Sequence, residues 1–522
     1  MKNRLLYIML VAAIGMAACK KSFTERPALD SPTVDNYYNT ADQVRGATAT
    51  LYGLAWFDFL DKAMDCIGEV RSGNEFTWDG QYSSFKDFTT TATDPRLAEA
   101  WRSLYKVAGW ANVMIKTLEY KKANGVNQPF IDQGIAESRF IRGVAYFYIG
   151  RIWGDAPIVT DPGALAASGN FEVPRYFQKD VIRFALEDFK AAEAGLPETD
   201  VKGRVTKYSA KGMMAKVYLY RNDYDSAKTK AGEVIASGKY DLFGDYAGMF
   251  TSSANNNNIE SLFALQHAIT NEWGSQNSLQ AFRAPGNLLV TGDGWSSIIP
   301  TLDILKAYES GDMRRKWSVM EHGAIYPQWK PTRDGNAAFN AFMANGYKYD
   351  TVQASPIGIK TSTRSNIAKY VVGPGSSSEP VLAQKTTICT YILRYADVLL
   401  IYAESALGSG ASTSDATALA AINKVRARAN LAPFASFTKD DVLHERRVEL
   451  AFEGDYWFDI TRQGFAKAKA IIEAQNRGFK NDNGSETVVN PSFNQNQMFL
   501  PIPISETAQN PLLSQPAVAY YK

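Results

Sequence analysis

Over residues 40–54, 94–125, 135–153 and 205–238 apolar side chains recur every three or four positions, the period of helices with one buried face. Val44, Ala47, Leu51 and Leu54 share such a face behind Thr40, whose hydroxyl can cap the first turn. Asp94-Pro95 pairs an N-cap acid with a proline at the first helical position. Leu97, Trp101, Leu104, Tyr105, Ala108, Ile115 and Leu118 follow at helical spacing, and Gly125 closes that helix or lies just beyond it. A further helix near 135–153 carries Phe140, Val144, Phe147 and Tyr148 on one face and ends at Gly154-Asp155-Ala156-Pro157. From about residue 250 to residue 385 the periodicity is lost. Gly, Ser, Thr, Asn and Pro cluster between short apolar pieces, the asparagine run 255–258 reads as a loop, and a helix is expected only at 304–308. Helical patterns return over 391–429 and 440–474. The proline-rich tail, from Phe499-Leu500-Pro501-Ile502-Pro503 to Asn510-Pro511, is expected to run extended over the helical body.

Residues 205–238 read as a helix–turn–helix, with Met214, Ala215 and Tyr218 on the first helix, Asn222-Asp223 at the turn, Tyr224, Ala227, Ala231, Val234 and Ile235 on the second, and Gly238 as its stop. The pattern resembles a tetratricopeptide unit, in which small residues let paired helices approach, although Asn222 stands where that repeat prefers Gly. Looser versions appear around 139–152 and 394–429. The fold class expected is therefore mostly α: tetratricopeptide-like helix pairs packed against a long, loop-rich irregular region.

The 522 residues are 45% hydrophobic and 21% charged, enough apolar content for a large core. With 56 basic and 54 acidic residues the formal net charge is only +2, which argues against a nucleic-acid partner. Lys2 and Arg4 precede an apolar run from Leu5 to Ala18, too short to span a bilayer but shaped like a secretory signal. Met16-Ala17-Ala18-Cys19 resembles a bacterial lipobox, with Met where Leu is commoner; it implies cleavage before Cys19 and a lipid on its thiol. Acyl chains contribute about 0.8 kcal/mol per buried CH₂, so several of them anchor firmly. The expected organisation is a signal peptide at 1–18, a lipidated tether at 19–30 and a single domain at 31–522. That domain divides into a helical part (31–249), a loop-rich part (250–385) and a helical part with the tail (386–522). Cys66 and Cys389, far apart in sequence, are expected to be independent buried thiols rather than a bridge.

Chemistry is sparse. His267, His322 and His444 lack metal-ligand spacing, and there is no nucleophile elbow or phosphate loop, so no metal, no cofactor and no catalytic residue is expected. Asn481-Asp482-Asn483-Gly484 lacks the full spacing of a calcium loop and reads as a polar turn. The densest charge cluster spans 445–462. Glu449 and Glu453 could be an acid/base pair on one helix face. Arg446, Arg447 and Arg462 supply counter-charge, however, and the interleaved Leu450, Phe452, Trp457 and Ile460 favour a buried structural network.

Several long stretches, in order, resemble the RagB/SusD family: Arg139-Phe140-Ile141-Arg142-Gly143-Val144-Ala145-Tyr146-Phe147 to Trp153-Gly154-Asp155-Ala156-Pro157, then Tyr391 to Glu404, then 445–462, then Leu500-Pro501-Ile502-Pro503 with Glu506 and Asn510-Pro511. The resemblance covers nearly the whole mature chain. It implies a non-enzymatic nutrient-binding lipoprotein of the outer membrane, facing the exterior, that delivers oligosaccharides to a SusC-like TonB-dependent transporter. Lys20-Lys21 is basic where surface-exported members often carry acids. Rival readings are a peptide-capture protein of the same fold, a surface glycosidase and a lipoprotein without ligand. The family architecture places two loop regions on the ligand side, and flat aromatic faces can stack on sugar rings there. Asn74, Trp78, Asp79 and Tyr82 in the first region, and Trp273, Arg283 and Trp295 in the second, are the candidate ligand-binding residues. Cys19→Ala should move the protein out of the membrane fraction; a variant that still pellets with outer membranes after a salt wash would refute the lipid anchor.

Overall fold

The computed structural model of the protein describes residues 33–351 and 360–521, so the signal, Cys19 and the tether to residue 30 lie outside the described residues. Helix α1 (Ala41–Ala49) begins where expected: Thr40 and Gln43 form a reciprocal capping box. It ends earlier than the apolar pattern suggests. Leu51 and Leu54 fall in 3₁₀ turns, followed by wider π turns over Phe59–Ala63 and Cys66–Val70. Strand β1 (Glu75–Thr77) comes next. Helix α2 (Pro95–Ala123) is capped by the Asp94 carboxylate, which accepts from the Arg96 N–H. Helix α3 (Pro129–Ile152) starts one and a half turns before the expected position, with Pro129 in its first turn.

Helices α4 (Gln178–Gly195), α5 (Lys207–Tyr220) and α6 (Tyr224–Ala236) continue the series. The turn between α5 and α6 puts Asn222 at φ 58, a left-handed position that asparagine tolerates, and so it serves in place of glycine. Neighbours in sequence are neighbours in space: α2 packs on α3, α3 on α4, α4 on α5 and α5 on α6. The α3–α4 contact depends on two glycines of the RagB/SusD-like stretch. A Cβ on Gly143 would meet the Phe189 ring at 3.0 Å, and one on Gly150 would meet Ile182 at 2.7 Å.

After α6 the chain leaves the helical stack and returns only at α8. Strand β2 (Ser261–Leu265) lies far in sequence from its antiparallel partner β6 (Thr390–Arg394). Between them β3 (Ile298–Pro300) pairs with β1, helix α7 (Leu302–Ala307) follows, and β4 (Val319–Glu321) pairs with β5 (Ser365–Ile367). Helix α8 (Tyr395–Leu407) then packs directly on α6, and α9 (Ala416–Arg428) on α8. The helical stack thus resumes across an excursion of loops and short elements.

The helix expected over 440–474 is three: α10 (Lys439–Glu449), α11 (Tyr456–Thr461) and α12 (Phe465–Ala474). The breaks fall at Gly454 and Gly464, both with φ +85. At the first break, a Cβ on Gly68 would lie 2.1 Å from the Gly454 carbonyl oxygen, so the two backbones touch. Strands β7 (Phe479–Lys480) and β8 (Glu486–Thr487) make a small hairpin around Asn481 to Gly484, whose N–H bonds the Asn481 carbonyl: a polar turn. The tail runs over the N-terminal helices, but it is not extended throughout as expected: Ile504–Gln509 is helical and Pro511–Ser514 is a 3₁₀ turn. Leu500 N–H bonds the Ile152 carbonyl, Ile504 N–H that of Ala92, and Val518 N–H that of Arg175, all at 2.9 Å.

Many of the charges inside the body are paired. Arg394, at the β6–α8 junction, meets Glu260 at 2.7 Å, Glu453 at 2.8 Å and Glu449 at 2.5 Å. Glu449 also accepts from Arg314 at 2.9 Å and from Arg428. Arg446 bridges Asp397 and Asp459, and Lys216 bridges Asp397 and Asp455. Burial alone would raise the Glu449 carboxyl, but Arg428, Arg394, Arg314 and Lys369 hold it well below the ordinary carboxylate range. Cys66 and Cys389 are buried free thiols, as expected of two independent cysteines.

Two outcomes follow. Glu449→Ala leaves buried arginine charge unmatched and should cost about 3–5 kcal/mol of stability in denaturant titrations. A folded variant of parental stability would overturn the structural role of the cluster. Because the folded pKa of Glu449 lies below its unfolded value of about 4.3, its contribution is present above that pH and is lost as the pH falls through the folded value. Thermal midpoints should therefore decline from about pH 5 downward, and the acid-dependent part should shrink in Glu449→Gln.

Candidate functional site

The irregular segment at 54–63 is the spine of the site. Its π turn, Phe59–Ala63, lies against α2, and the segment carries Phe57, Asp61 and Lys62, which contact Trp273, Ser278 and Phe282 of the 270–295 loops. Trp273 packs edge-on against Phe57, centroids 5.6 Å apart, and Lys385 Nζ lies 5.8 Å from its ring. One turn on, the Ser278 hydroxyl donates to Asp61 at 2.5 Å, and Lys62 Nζ sits 5.4 Å from the Phe282 ring. Phe282 in turn supports Trp295 at 5.3 Å. Burial raises the Asp61 carboxyl against the lowering pull of Ser278 and Lys62.

The third indole comes from the β1–β3 ribbon. Thr77 pairs with Ile298, so Trp78 and Trp295 leave the ribbon at the same end. Trp78 is held edge-on by Phe76 at 5.0 Å, lies 6.3 Å from Phe479 of the β7–β8 hairpin, and donates through its indole N–H to the Ser362 hydroxyl. Trp78, Trp273 and Trp295 are 66%, 52% and 47% exposed. Asp79 beside them is half-buried, with its carboxylate accepting from the Gln81 N–H.

The other three residues expected to touch a ligand are inside the protein. Arg283 is fully buried and its Nη2 meets Asp65 at 2.9 Å and Glu75 at 3.0 Å. Burial works against its charge, but these acids more than offset it. Asn74 is fully buried; its amide N donates to Glu69 at 2.9 Å and its amide O accepts from Arg447 Nε at 2.9 Å. Burial pushes the Glu69 carboxyl up to about 7. Tyr82 is 1% exposed and lies 6.5 Å from Phe282, under the Trp295 support. These three hold the loops from below and offer no surface to a ligand. Asp65 and Glu75 hold Arg283 inside and Glu69 holds Asn74; nothing local in the sequence marks these acids as their partners. The supporting side chains Phe57, Lys62, Phe282 and Phe479 also escaped sequence reasoning, since nothing local marks them as neighbours of the indoles.

The acid–base candidates of the sequence are engaged in other contacts. Glu449 and Glu453 are buried among arginines. His267 is buried, hydrogen-bonded to Thr390 at 3.0 Å, and burial lowers it to about 4. His444 is lowered by burial, and His322 is exposed beside Asp350. Among the described residues no group of three His, Cys, Asp or Glu side chains is arranged to hold a metal ion, and no helix is long and apolar enough to cross a membrane.

Comparison with known proteins matches this architecture. Residues 255–521 fit the model of the SusD family, and residues 31–219 fit the model described as "Starch-binding associating with outer membrane". A SusD-like protein of Bacteroides ovatus is 32% identical over 566 aligned positions, covering 100% of this chain and 98% of that protein. A crystal structure with xylogluco-oligosaccharide is 31% identical, with TM-score 0.82, covering 92% of this chain and 99% of that one. A SusD-like carbohydrate binding protein of Bacteroides fragilis, 21% identical, shares the fold with TM-score 0.72 over 91% of this chain and 99% of its own. The helical stack, the buried ion pairs of its signature stretches and these matches over the length of the chain have one reading: the protein belongs to the RagB/SusD family.

Proposed function

We propose that this protein is a lipoprotein anchored in the outer membrane through Cys19 and facing the exterior. It captures oligosaccharides on the face that carries Trp78, Trp273 and Trp295, does no chemistry on them, and passes them to a SusC-like TonB-dependent transporter. The observation that carries the reading is the set of three exposed indoles, each braced by another aromatic ring: Trp273 on Phe57, Trp295 on Phe282, and Trp78 on Phe76 at the ribbon end from which Trp295 also leaves. Exposed indoles leave apolar area in water unless something covers them. The C–H faces of pyranose rings are of matching size and flatness, and an indole held rigid loses little freedom on stacking. Lys385 lies beside Trp273, Asp79 follows Trp78, and Lys62 lies over Phe282 behind Trp295; these groups can supply hydrogen bonds to hydroxyls. The similarity to a protein solved with xylogluco-oligosaccharide favours a glycan over a peptide and gives the first ligand to try.

Calorimetry with xylogluco-oligosaccharides, and with whatever glycan an array selects if those do not bind, tests the platform. Trp78→Ala and Trp273→Ala should each weaken binding by about 1–3 kcal/mol, by analogy with bases stacked on aromatic side chains. Their thermal midpoints should stay near the parent's, because both rings are more than half exposed. Parental affinity in both variants would place the site elsewhere, and new reducing ends after prolonged incubation would refute binding without catalysis.

A further inference from the structure

The buried arginines of this protein come with counter-charges, apart from two on one seam. Arg283, Arg314, Arg394 and Arg446, like Arg142 with Asp188 at 2.7 Å, each contact at least one carboxylate. Arg71 and Arg477, 2% and 3% exposed, make no salt bridge among the described residues. Their hydrogen bonds go to neutral acceptors. Arg71 Nη2 donates to the Gln497 carbonyl; Arg477 Nη2 donates to the Arg71 carbonyl at 2.9 Å and to Gln475 Oε1 at 2.7 Å. The Arg71 guanidinium lies 4.5 Å from the Trp457 ring and 5.0 Å from Phe88, and Arg477 lies 5.0 Å from the same Phe88. Two cations therefore share one ring. Burial, and then Arg477, lower Arg71 to about 9.

Carbonyls and rings satisfy donors and polarise toward a cation, but they do not neutralise it. In an interior where every other arginine of this kind is matched by an acid, the missing partner is itself an observation. It coincides with space. Arg71 lines a cavity of about 590 Å³ between the Phe88–Ala92 loop and the tail at Asn496–Pro501. Two donors at this place are unused: Arg71 Nε and the Thr90 hydroxyl, both buried without a hydrogen-bond partner. Thr89, Thr91, Asn496 and Gln497 add polar groups to a wall that also carries the apolar Phe88, Ala92, Phe499, Leu500 and Pro501. None of Trp78, Trp273 and Trp295 lines it.

We propose that this cavity is an oxyanion site, in which a carboxylate, sulfate or phosphate group pairs with the Arg71 guanidinium and accepts from Thr90. A guanidinium offers planar, charge-assisted hydrogen bonds to such groups, and a neutral sugar hydroxyl cannot supply the missing charge. The source is either a free inorganic anion or the acidic substituent of a glycan, a uronate or a sulfate ester. The site lies in the seam where the tail meets the N-terminal body, flanked by the Leu500–Ile152 and Ile504–Ala92 hydrogen bonds. An anion there pins the tail as well as occupying a pocket.

The test is thermal unfolding of the full mature chain, titrated with sodium sulfate, sodium phosphate or sodium glucuronate against sodium chloride at matched ionic strength, with glucose as the neutral control. The thermal midpoint should rise saturably with at least one oxyanion and not with glucose, since only a ligand of the native state stabilises in that manner. Non-specific salt stabilisation does not saturate and is shared by all variants. In Arg71→Met the saturable part should vanish, and without oxyanion this variant should be at least as stable as the parent, having lost an unmatched buried charge. Thr90→Val should need roughly tenfold more oxyanion for the same shift, as expected for one lost charge-assisted bond. Glucuronate outperforming sulfate and phosphate assigns a sugar acid, and the reverse assigns an inorganic anion. If Arg71→Met does not fold, the Thr90→Val titration and calorimetric titration of the parent with sulfate decide. A parent with no saturable response to any of the three oxyanions overturns the proposal, as does a Thr90→Val variant with the parental response.

Discussion

Neutralising charge inside a low-dielectric body is the constraint on which the rest of this structure depends. Arg394 stands at the end of a strand and the start of a helix, and its three acids come from Glu260, Glu449 and Glu453. Those residues lie before β2, at the end of α10 and in the glycine turn after it. Arg314, from the loop-rich excursion, reaches the same Glu449 and also Glu445. A hydrophobic contact between these elements could slide by a residue. A buried ion pair that slides leaves both charges exposed to a dry interior, which is far more costly. The lattice therefore fixes register among elements that have little regular secondary structure to fix it.

That fixation lets the helical stack be interrupted. Helix α6 packs on α8 although more than a hundred residues of loops, short strands and one-turn helices separate them in sequence. The excursion is tied back at its root by the β2–β6 ladder and by Lys369, whose ammonium donates to the Glu449 and Ala451 carbonyls and to Glu453. Loops held in this way can carry large side chains at their surface without collapsing on them. The three indoles use this: each sits on a loop, and each has an aromatic ring behind it. Rigid support matters for a binding face, because a ring that must first be ordered contributes less to affinity. The proline-rich tail completes the body from the outside, and at its seam with the N-terminal helices Arg71 is buried without a salt bridge among the described residues.

Much of the local structure was legible in the sequence. Caps such as Thr40 and Asp94 act on backbone N–H groups two or three residues away, so they can be read without knowing the fold. Helical periodicity is equally local, and it gave α1, α2, α3, α5 and α6 of the stack, but not α4. It misled where the pattern was helical but the chain was not: over 440–474 apolar residues keep their spacing through Gly454 and Gly464, which adopt left-handed conformations and turn the chain twice. The relaxed turns after α1 had no signal either, because π turns are a response to packing.

What the sequence by itself determined was the helical character, the helix starts behind Thr40 and Asp94 and the family, all of which depend on residues near one another in the chain. Glu445, Glu449 and Glu453 are not countered by the nearby Arg446, Arg447 and Arg462, as expected from the sequence, but find Arg314, Arg394, Arg426, Arg428 and Lys369 instead, from other parts of the chain. Only the tertiary structure decided which residues of the two candidate loops face out. Asn74 and Trp78 are four residues apart on one loop, yet one is buried against Glu69 and Arg447 and the other stands in solvent. Arg283 and Trp295 divide in the same way, because Asp65 and Glu75 draw the arginine inward from more than two hundred positions away. Burial is a property of what surrounds a residue in space. For loops, whose neighbours come from every part of the chain, no local pattern encodes it.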